Sequence, residues 1–266
     1  MRGRATAVDG NTVYATPGRY SHHVWAYDLK ADKWTRLPDC PQRNAGLAMI
    51  SGLLTAVGGS TNDGDAANTL MSLTDSRSKW TEHFPPMPVK LEYPAVVCTG
   101  NHLLVTDVMK NIVYVMDTTS LKWFSAGSLP FVPSYSLTVC GTELYILTFS
   151  GSVFRCSLPT LLQSSSAVYP ETTDMWQKLA NAPVRGSTLT TLRGQLVAVG
   201  GRNVLSELVD SIHLYDPSVD SWHIIGHTPT ARSSCLVATL PGDTLVVIGG
   251  VTREGISCDV EVAYPV

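Results

Sequence analysis

Seven histidines are the first place to look for chemistry: His22, His23, His83, His102, His213, His223 and His227. His223 and His227 stand four apart, the spacing that would align two imidazoles toward a metal on one helix face. Their surroundings, SWHIIGHTP, are strand-like, so the pair straddles a strand and the turn after it. NDGD at 62–65 offers oxygens for calcium but lacks the later glycine and glutamate of such a loop. It reads as a solvated turn. No GxSxG, HExxH, P-loop or GxGxxG is present. The six cysteines (Cys40, Cys98, Cys140, Cys156, Cys235 and Cys258) contain no CxxC pair. Cys98, Cys140 and Cys156 lie inside apolar runs, where a thiol behaves as a small buried hydrophobe. Six free thiols are expected, with no catalytic group, no bound metal and no cofactor.

The arginines are more suggestive. Arg43, Arg185 and Arg232 each follow a proline-bearing turn and precede an apolar run. Arg2 and Arg4 fall near the same place once more, while the comparable stretches elsewhere hold Leu91-Glu92 and Val132 to Ser134. Guanidiniums converging on a partly dry concavity would favour an acidic or phosphorylated peptide. Equally, each could satisfy backbone carbonyls or lay its stem over the rim. Both readings stand on the sequence alone. Arg19, Tyr20, His22, His23, Arg202 and Arg253 lie in loops and are further contact candidates, arginine and tyrosine being enriched at binding hot spots.

These residues are carried by a repeat. Trp34, Trp80, Trp123, Trp176 and Trp222 are spaced 46, 43, 53 and 46 residues apart, each followed by a proline turn. After it come an apolar run ending in glycine and a second ending in a doublet, Gly58-Gly59, Gly200-Gly201 and Gly249-Gly250 in three copies. Tyr27 and Tyr215 stand seven residues before Trp34 and Trp222, in YDLKADKW and YDPSVDSW. The runs are short, β-branched and bounded by turn residues, and no window holds a helical period. Four strands per repeat of forty-odd residues is the arithmetic of a propeller blade. The tyrosine and tryptophan are large enough to fill the space between adjacent sheets.

The doublet, then a tyrosine, then a tryptophan seven residues on resembles the kelch repeat. It is complete in Gly200-Gly201, Tyr215 and Trp222, and partial at Gly58-Gly59 with Trp80, at Tyr27 with Trp34, and at Gly249-Gly250. Repeats three and four depart from it, with Met116 and Cys156 in the tyrosine's place. The resemblance implies an all-β, six-bladed kelch β-propeller forming a single domain. Its blades are expected at about 1–42, 43–90, 91–131, 132–183, 184–230 and 231–266, with inner hairpins at 4–16, 45–57, 95–106, 136–147, 188–199 and 236–248. The last blade lacks an outer strand, read either as the mark of a fragment or as a tolerated three-stranded blade. An insertion at 157–175 separates the third and fourth strands of blade four. PTLLQSS can form a helical turn, and the rest is partner-specific or drift. Loops between strands two and three should be long in blades one, two, five and six.

The resemblance also implies a protein-interaction module binding a protein or acidic peptide at one channel mouth. Such domains often recognise substrates in ubiquitin-ligase adaptors, beside BTB and BACK domains that would lie upstream. The alternative is a kelch-fold enzyme or small-ligand protein using the channel. With 22 acidic against 19 basic side chains and a net charge of −3, no basic footprint for nucleic acid exists. The uncharged stretches 45–61 and 123–142 are broken by glycines and prolines and do not make a spanning helix. The thiols and the absence of an apolar leader point to a cytoplasmic location.

Overall fold

The structure, a computed structural model, describes residues 4–18, 21–74, 78–107, 112–129, 134–163 and 175–263. Strands dominate, each paired antiparallel with its neighbour in the chain. The first sheet holds β1 (Arg4–Asp9), β2 (Thr12–Pro17), β3 (Trp25–Asp28) and β4 (Lys33–Arg36). The second holds β5 (Gly46–Ile50), β6 (Leu53–Val57), β7 (Leu70–Thr74) and β8 (Lys79–Phe84). The third holds β9 (Pro94–Thr99), β10 (His102–Asp107), β11 (Ile112–Asp117) and β12 (Lys122–Ser128). In the fourth, β13 (Ser134–Cys140), β14 (Glu143–Thr148) and β15 (Val153–Ser157) are followed by helix α1 (Leu158–Gln163) and then β16 (Gln177–Leu179). The fifth holds β17 (Thr188–Leu192), β18 (Gln195–Arg202), β19 (Leu208–Asp216) and β20 (Ser221–His227). The sixth has three strands among the described residues: β21 (Leu236–Leu240), β22 (Thr244–Thr252) and β23 (Gly255–Ala263). No helix among the described residues is long and apolar enough to cross a membrane.

The expected hairpins form in register: Ala5 faces Thr16, Gly46 faces Val57 and Ala95 faces Thr106, then Ser136 faces Leu147, Thr188 faces Val199 and Leu236 faces Ile248. Strands β1–β12 form one compact unit, and β13–β23 with α1 form a second. Within each unit the apolar cores lie between sheets. Ala26 of the first sheet, with Val24 and Leu37 flanking its outer strands, packs with Leu47, Leu54 and Trp80 of the second. Ile50, Val57 and Phe84 pack onward against Leu103, Val105 and Met116 of the third. In the second unit, Leu196 and Ala198 of β18 face the fourth sheet's Tyr145 and Leu147, whereas Val197 and Val199 face the sixth sheet's Val237 and Val247. Successive side chains point to opposite faces, so a strand with sheets on both sides reads as an unbroken apolar run.

The outer strands are tied to the preceding sheet by indoles. Trp80 Nε1 donates to the Pro38 carbonyl (2.8 Å), Trp123 to Pro85 (3.1 Å) and Trp222 to Ala180 (3.1 Å). The repeat tryptophans were expected to fill the space between sheets, and they do so unequally: Trp80 and Trp176 are buried, while Trp34, Trp123 and Trp222 are half-buried. An amphipathic ring reaching for a carbonyl at the edge of the intersheet layer leaves one side in water. Beside the indole, the tyrosines repeat one geometry. Tyr27 and Trp34, like Tyr215 and Trp222, stack tilted at 5.2 Å, and the hydroxyls donate to Asp32 and Asp220 at 2.7 Å. Met116 opposite Trp123 fills the tyrosine's place, fully buried.

Two loop expectations need correction. The connection in blade six is the tight turn Arg253-Glu254, because β22 runs to Thr252 and β23 starts at Gly255. In blade five the loop shrinks to 203–207, since β18 and β19 continue past the doublet. The insertion leaves β15 through α1, with Leu158 and Leu161 buried; residues 164–174 lie outside those described.

Candidate functional site

The backbone decides which arginines are equivalent. Arg43 exchanges two N–H···O bonds with Ser60 (2.9 and 2.7 Å), Arg185 with Arg202 (2.9 and 2.8 Å), and Ser233 with Val251 (3.0 and 2.9 Å). The next residue is left-handed each time: Asn44 at φ 57°, Gly186 at 63° and Ser234 at 54°. Arg43 and Arg185 therefore correspond to Ser233. Arg232 sits one position earlier, with Gln42 and Val184, and all three are buried. In extended chain a one-residue shift reverses the face a side chain meets. Arg232 is 0% exposed; it pairs with Glu261, and its Nη1 donates to the Gly249 carbonyl at 2.7 Å. The expectation that it shares a surface register with Arg43 and Arg185 is corrected accordingly.

In the first unit, Arg43 Nε donates to His22 Nε2 (2.7 Å), and His22 Nδ1 lies 2.8 Å from the Cys40 carbonyl. A ring that accepts at Nε2 and donates at Nδ1 is neutral. Alongside, Asp39 bonds both Arg36 and His23, and those two donors hold its carboxyl below the usual range. Arg2, Arg19 and Tyr20 lie outside the described residues, as does the side chain of Arg4.

In the second unit, the loops between second and third strands and the starts of the first strands are stitched together. Arg185 bridges Arg202 at the base of loop 203–207, and Ser234 N donates to the Gly186 carbonyl (2.8 Å). Ser233 bridges Val251, which pairs with Ile256. A Cβ placed on Gly186 would come within 3.7 Å of Phe149. Along this line four large apolar side chains face water: Val204 (82% exposed), Leu205 (74%), Ile256 (72%) and Phe149 (58%). Arg185 and Arg253 are exposed, with no side-chain partner among the described residues. Arg202 Nη1 is tied to the Ser206 carbonyl at 2.8 Å.

Sequence reasoning found the arginines here and missed the apolar side chains. The available signal was NVLSE at 203–207, two large apolar residues between a turn former and the next strand. Asn203 organises the loop. Its Oδ1 accepts from Leu205 N and Glu207 N, both at 3.0 Å, and its Nδ2 donates to Glu207 Oε2 at 2.9 Å. The backbone adds Asn203 N to the Glu207 carbonyl (3.0 Å) and Ser206 N to the Asn203 carbonyl (2.9 Å).

Three titratable groups elsewhere, Cys40, Cys156 and His213, are buried. Burial pushes the Cys40 thiol up to about 12 and the Cys156 thiol to about 11. His213 is buried, and desolvation, with a smaller push from His227, lowers its pKa and keeps it neutral. Among the described residues, no three His, Cys, Asp or Glu side chains converge as metal ligands.

Comparison with known proteins matches the Kelch motif family at residues 1–41 and 183–227, the stretches that hold Tyr27 with Trp34 and Gly200-Gly201 with Tyr215 and Trp222. The chain carries kelch repeats. Mouse Kelch-like protein 35 is 42% identical over 71 residues, which is 27% of this chain and 12% of that protein. Mouse Kelch-like protein 15 is 23% identical over 227 residues, covering 76% and 37%. Human Kelch-like protein 38 is 20% identical over 242 residues, covering 85% and 40%. The chain thus spans well under half the length of these relatives. The solved structure of YjhT superposes with a TM-score of 0.74 at 17% identity, covering 97% of this chain and 93% of that one. The kelch fold here is an all-β, six-bladed propeller.

The kelch doublets have a geometric cause. A Cβ on the first glycine would meet the backbone of the next blade: Leu91 O at 3.0 Å from Gly58, and Arg232 O at 2.5 Å from Gly200. On the second it would meet its own blade: Arg43 O at 2.2 Å, Arg185 O at 2.8 Å and Ser233 O at 2.9 Å from Gly59, Gly201 and Gly250. Blade four has no doublet. There Gly151, at φ 95°, lies against the carbonyls of Ala182 and Val184.

Proposed function

We propose that this kelch propeller is a non-enzymatic protein-interaction module that binds a protein partner through its loop face. The observation that carries the reading is the second unit's rim, where Arg185 and Arg253, with no side-chain partner among the described residues, share the bridged loop ends with four exposed apolar side chains. Large apolar groups exposed together mark interaction sites, and uncompensated guanidiniums beside them select carboxylates or phosphates. Acidic segments of a partner, peptide or domain, are the matching chemistry. With BTB and BACK domains upstream, the module would serve as the substrate-recognition part of a cytoplasmic ubiquitin-ligase adaptor.

The test places a photo-crosslinking p-benzoylphenylalanine at Glu254, on the rim, and separately at Pro217, in the turn between β19 and β20. Protein adducts, read by mass spectrometry, should form from position 254, far exceed those from 217, and fall at least fivefold in Arg185→Ala/Arg253→Ala, whose Tm should match the parent. Equal adducts from both positions, or none, would overturn the reading.

A further inference from the structure

We propose that the Val204–Leu205 tip is a preformed hook that inserts into an apolar pocket, rimmed by carboxylates, on a folded partner domain. This rests on the loop face being the interaction surface, and it names the kind of partner. Both side chains stand largely in water on a loop closed by five hydrogen bonds centred on Asn203, with Arg202 also holding the Ser206 carbonyl. Ser206 is left-handed at φ 65°, so the chain reverses directly behind the tip.

Shape selects the occupant. A linear peptide laid along a projecting loop covers one flank and leaves the other wet. Only a concave surface, which an ordered domain provides, desolvates both Val204 and Leu205. The loop is already ordered, so insertion avoids most of the entropic cost that a flexible tip would incur. Charge selects the rim of that pocket. On the loop ends that the Arg185–Arg202, Ser233–Val251 and Ser234–Gly186 bonds connect stand Arg185, Arg202 and Arg253 against Glu207 and Glu254, and Glu207 is engaged by Asn203. The Arg185 and Arg253 side chains have no partner among the described residues, so carboxylates around the pocket would complete them. Ile256 at the start of β23 and Phe149 in the turn after β14, at 72% and 58% exposed, supply further apolar contacts for the same partner.

The experiment uses the full chain and two probes derived from the adduct formed at position 254. One is the purified folded domain containing the crosslinked residues, and the other is a synthetic 20-residue peptide spanning them. The domain should bind at least tenfold more tightly than the peptide. Val204→Ser/Leu205→Ser should raise the domain's Kd at least tenfold with Tm unchanged, both positions being exposed. A peptide that binds as tightly as the domain overturns the hook. So does a Kd within twofold for the serine variant, or an adduct to a second copy of this chain. If Arg185→Ala/Arg253→Ala weakens binding while the serine variant does not, the loop-face reading stands and the hook alone falls. If position 254 yields no adduct, both fall.

Discussion

At the scale of single residues, the sharpest contrast is between two arginines that look alike in the sequence. TPTARSS and APVRGS both place an arginine after a proline turn. The side chains nevertheless meet opposite environments, because strand parity is counted from the hairpin, and blade six needs one more residue to reach it. Arg232 is sealed inside with Glu261, whereas Arg185 stands in water. Removing one partner of a buried ion pair leaves an uncompensated charge and costs about 3–5 kcal/mol. An exposed, unpaired side chain costs within about 0.5 kcal/mol. Arg232→Ala should therefore lower stability by about 3–5 kcal/mol in urea unfolding, and Arg185→Ala should leave the midpoint unmoved. Equal effects would mean that the two share one environment. The same parity explains what could be read in advance. Which residue types gather near the first strands was visible, but whether a given one points in or out turns on a single residue of register. The exposure of Phe149 was hidden for a related reason: it ends the largely apolar run 144–149, whose other members are buried. Val204, Leu205 and Ile256 stand instead in polar-rich stretches, where one or two apolar residues do not reveal which way they face.

At the scale of elements, the close approach between the end of a second strand and the start of a first strand fixes where glycine is required. Gly59 is left-handed at φ 95°, and a Cβ there would lie 2.2 Å from the Arg43 carbonyl. Gly52, in the β5–β6 turn, is left-handed at φ 79° with open space around it. Gly52→Ala carries only the backbone penalty, about 1–2 kcal/mol. Gly59→Ala adds overpacking of about 1–3 kcal/mol against backbone that cannot move without shifting the Arg43–Ser60 bridge. Denaturant midpoints should rank parent, Gly52→Ala, then Gly59→Ala, and the reverse order for the two variants would contradict this account. Elements were the most legible level. All six inner hairpins were readable because a glycine turn and two apolar runs are local features. The lengths of the blade-five and blade-six connections were not, since RNVLSELVD and TREGISCDV are both polar-rich, and only pairing with β18 and β22 extends the strands into them.

At the scale of the whole molecule, the question is how the repeats share stability. No described core belongs to one sheet. The first and second sheets share the cluster containing Cys40, and the second and third share the one against which Cys98 packs. The fourth and fifth share the cluster with Cys140 beside it, and the fifth and sixth share that of Cys235. Indole bonds from Trp80, Trp123 and Trp222 cross the same boundaries. When each unit of a repeat structure buries its apolar face only against neighbours, losing one sheet exposes two cores, and cooperative melting follows. The cysteines report on this directly. Cys40 and Cys235 are buried, Cys98 and Cys140 half-buried, and Cys258 exposed, and all are free thiols. Burial also raises the pKa of the thiols of Cys40, Cys98 and Cys140, so they resist alkylation while folded. Pulses of iodoacetamide at pH 8 across a urea series, read residue by residue by mass spectrometry, should label Cys258 throughout. Cys40 and Cys98 should lose protection at one shared urea concentration in the first unit, and Cys140 and Cys235 at one shared concentration in the second. Staggered midpoints within either unit would show sheets melting singly, and the intersheet cores would then not be what holds the blades together.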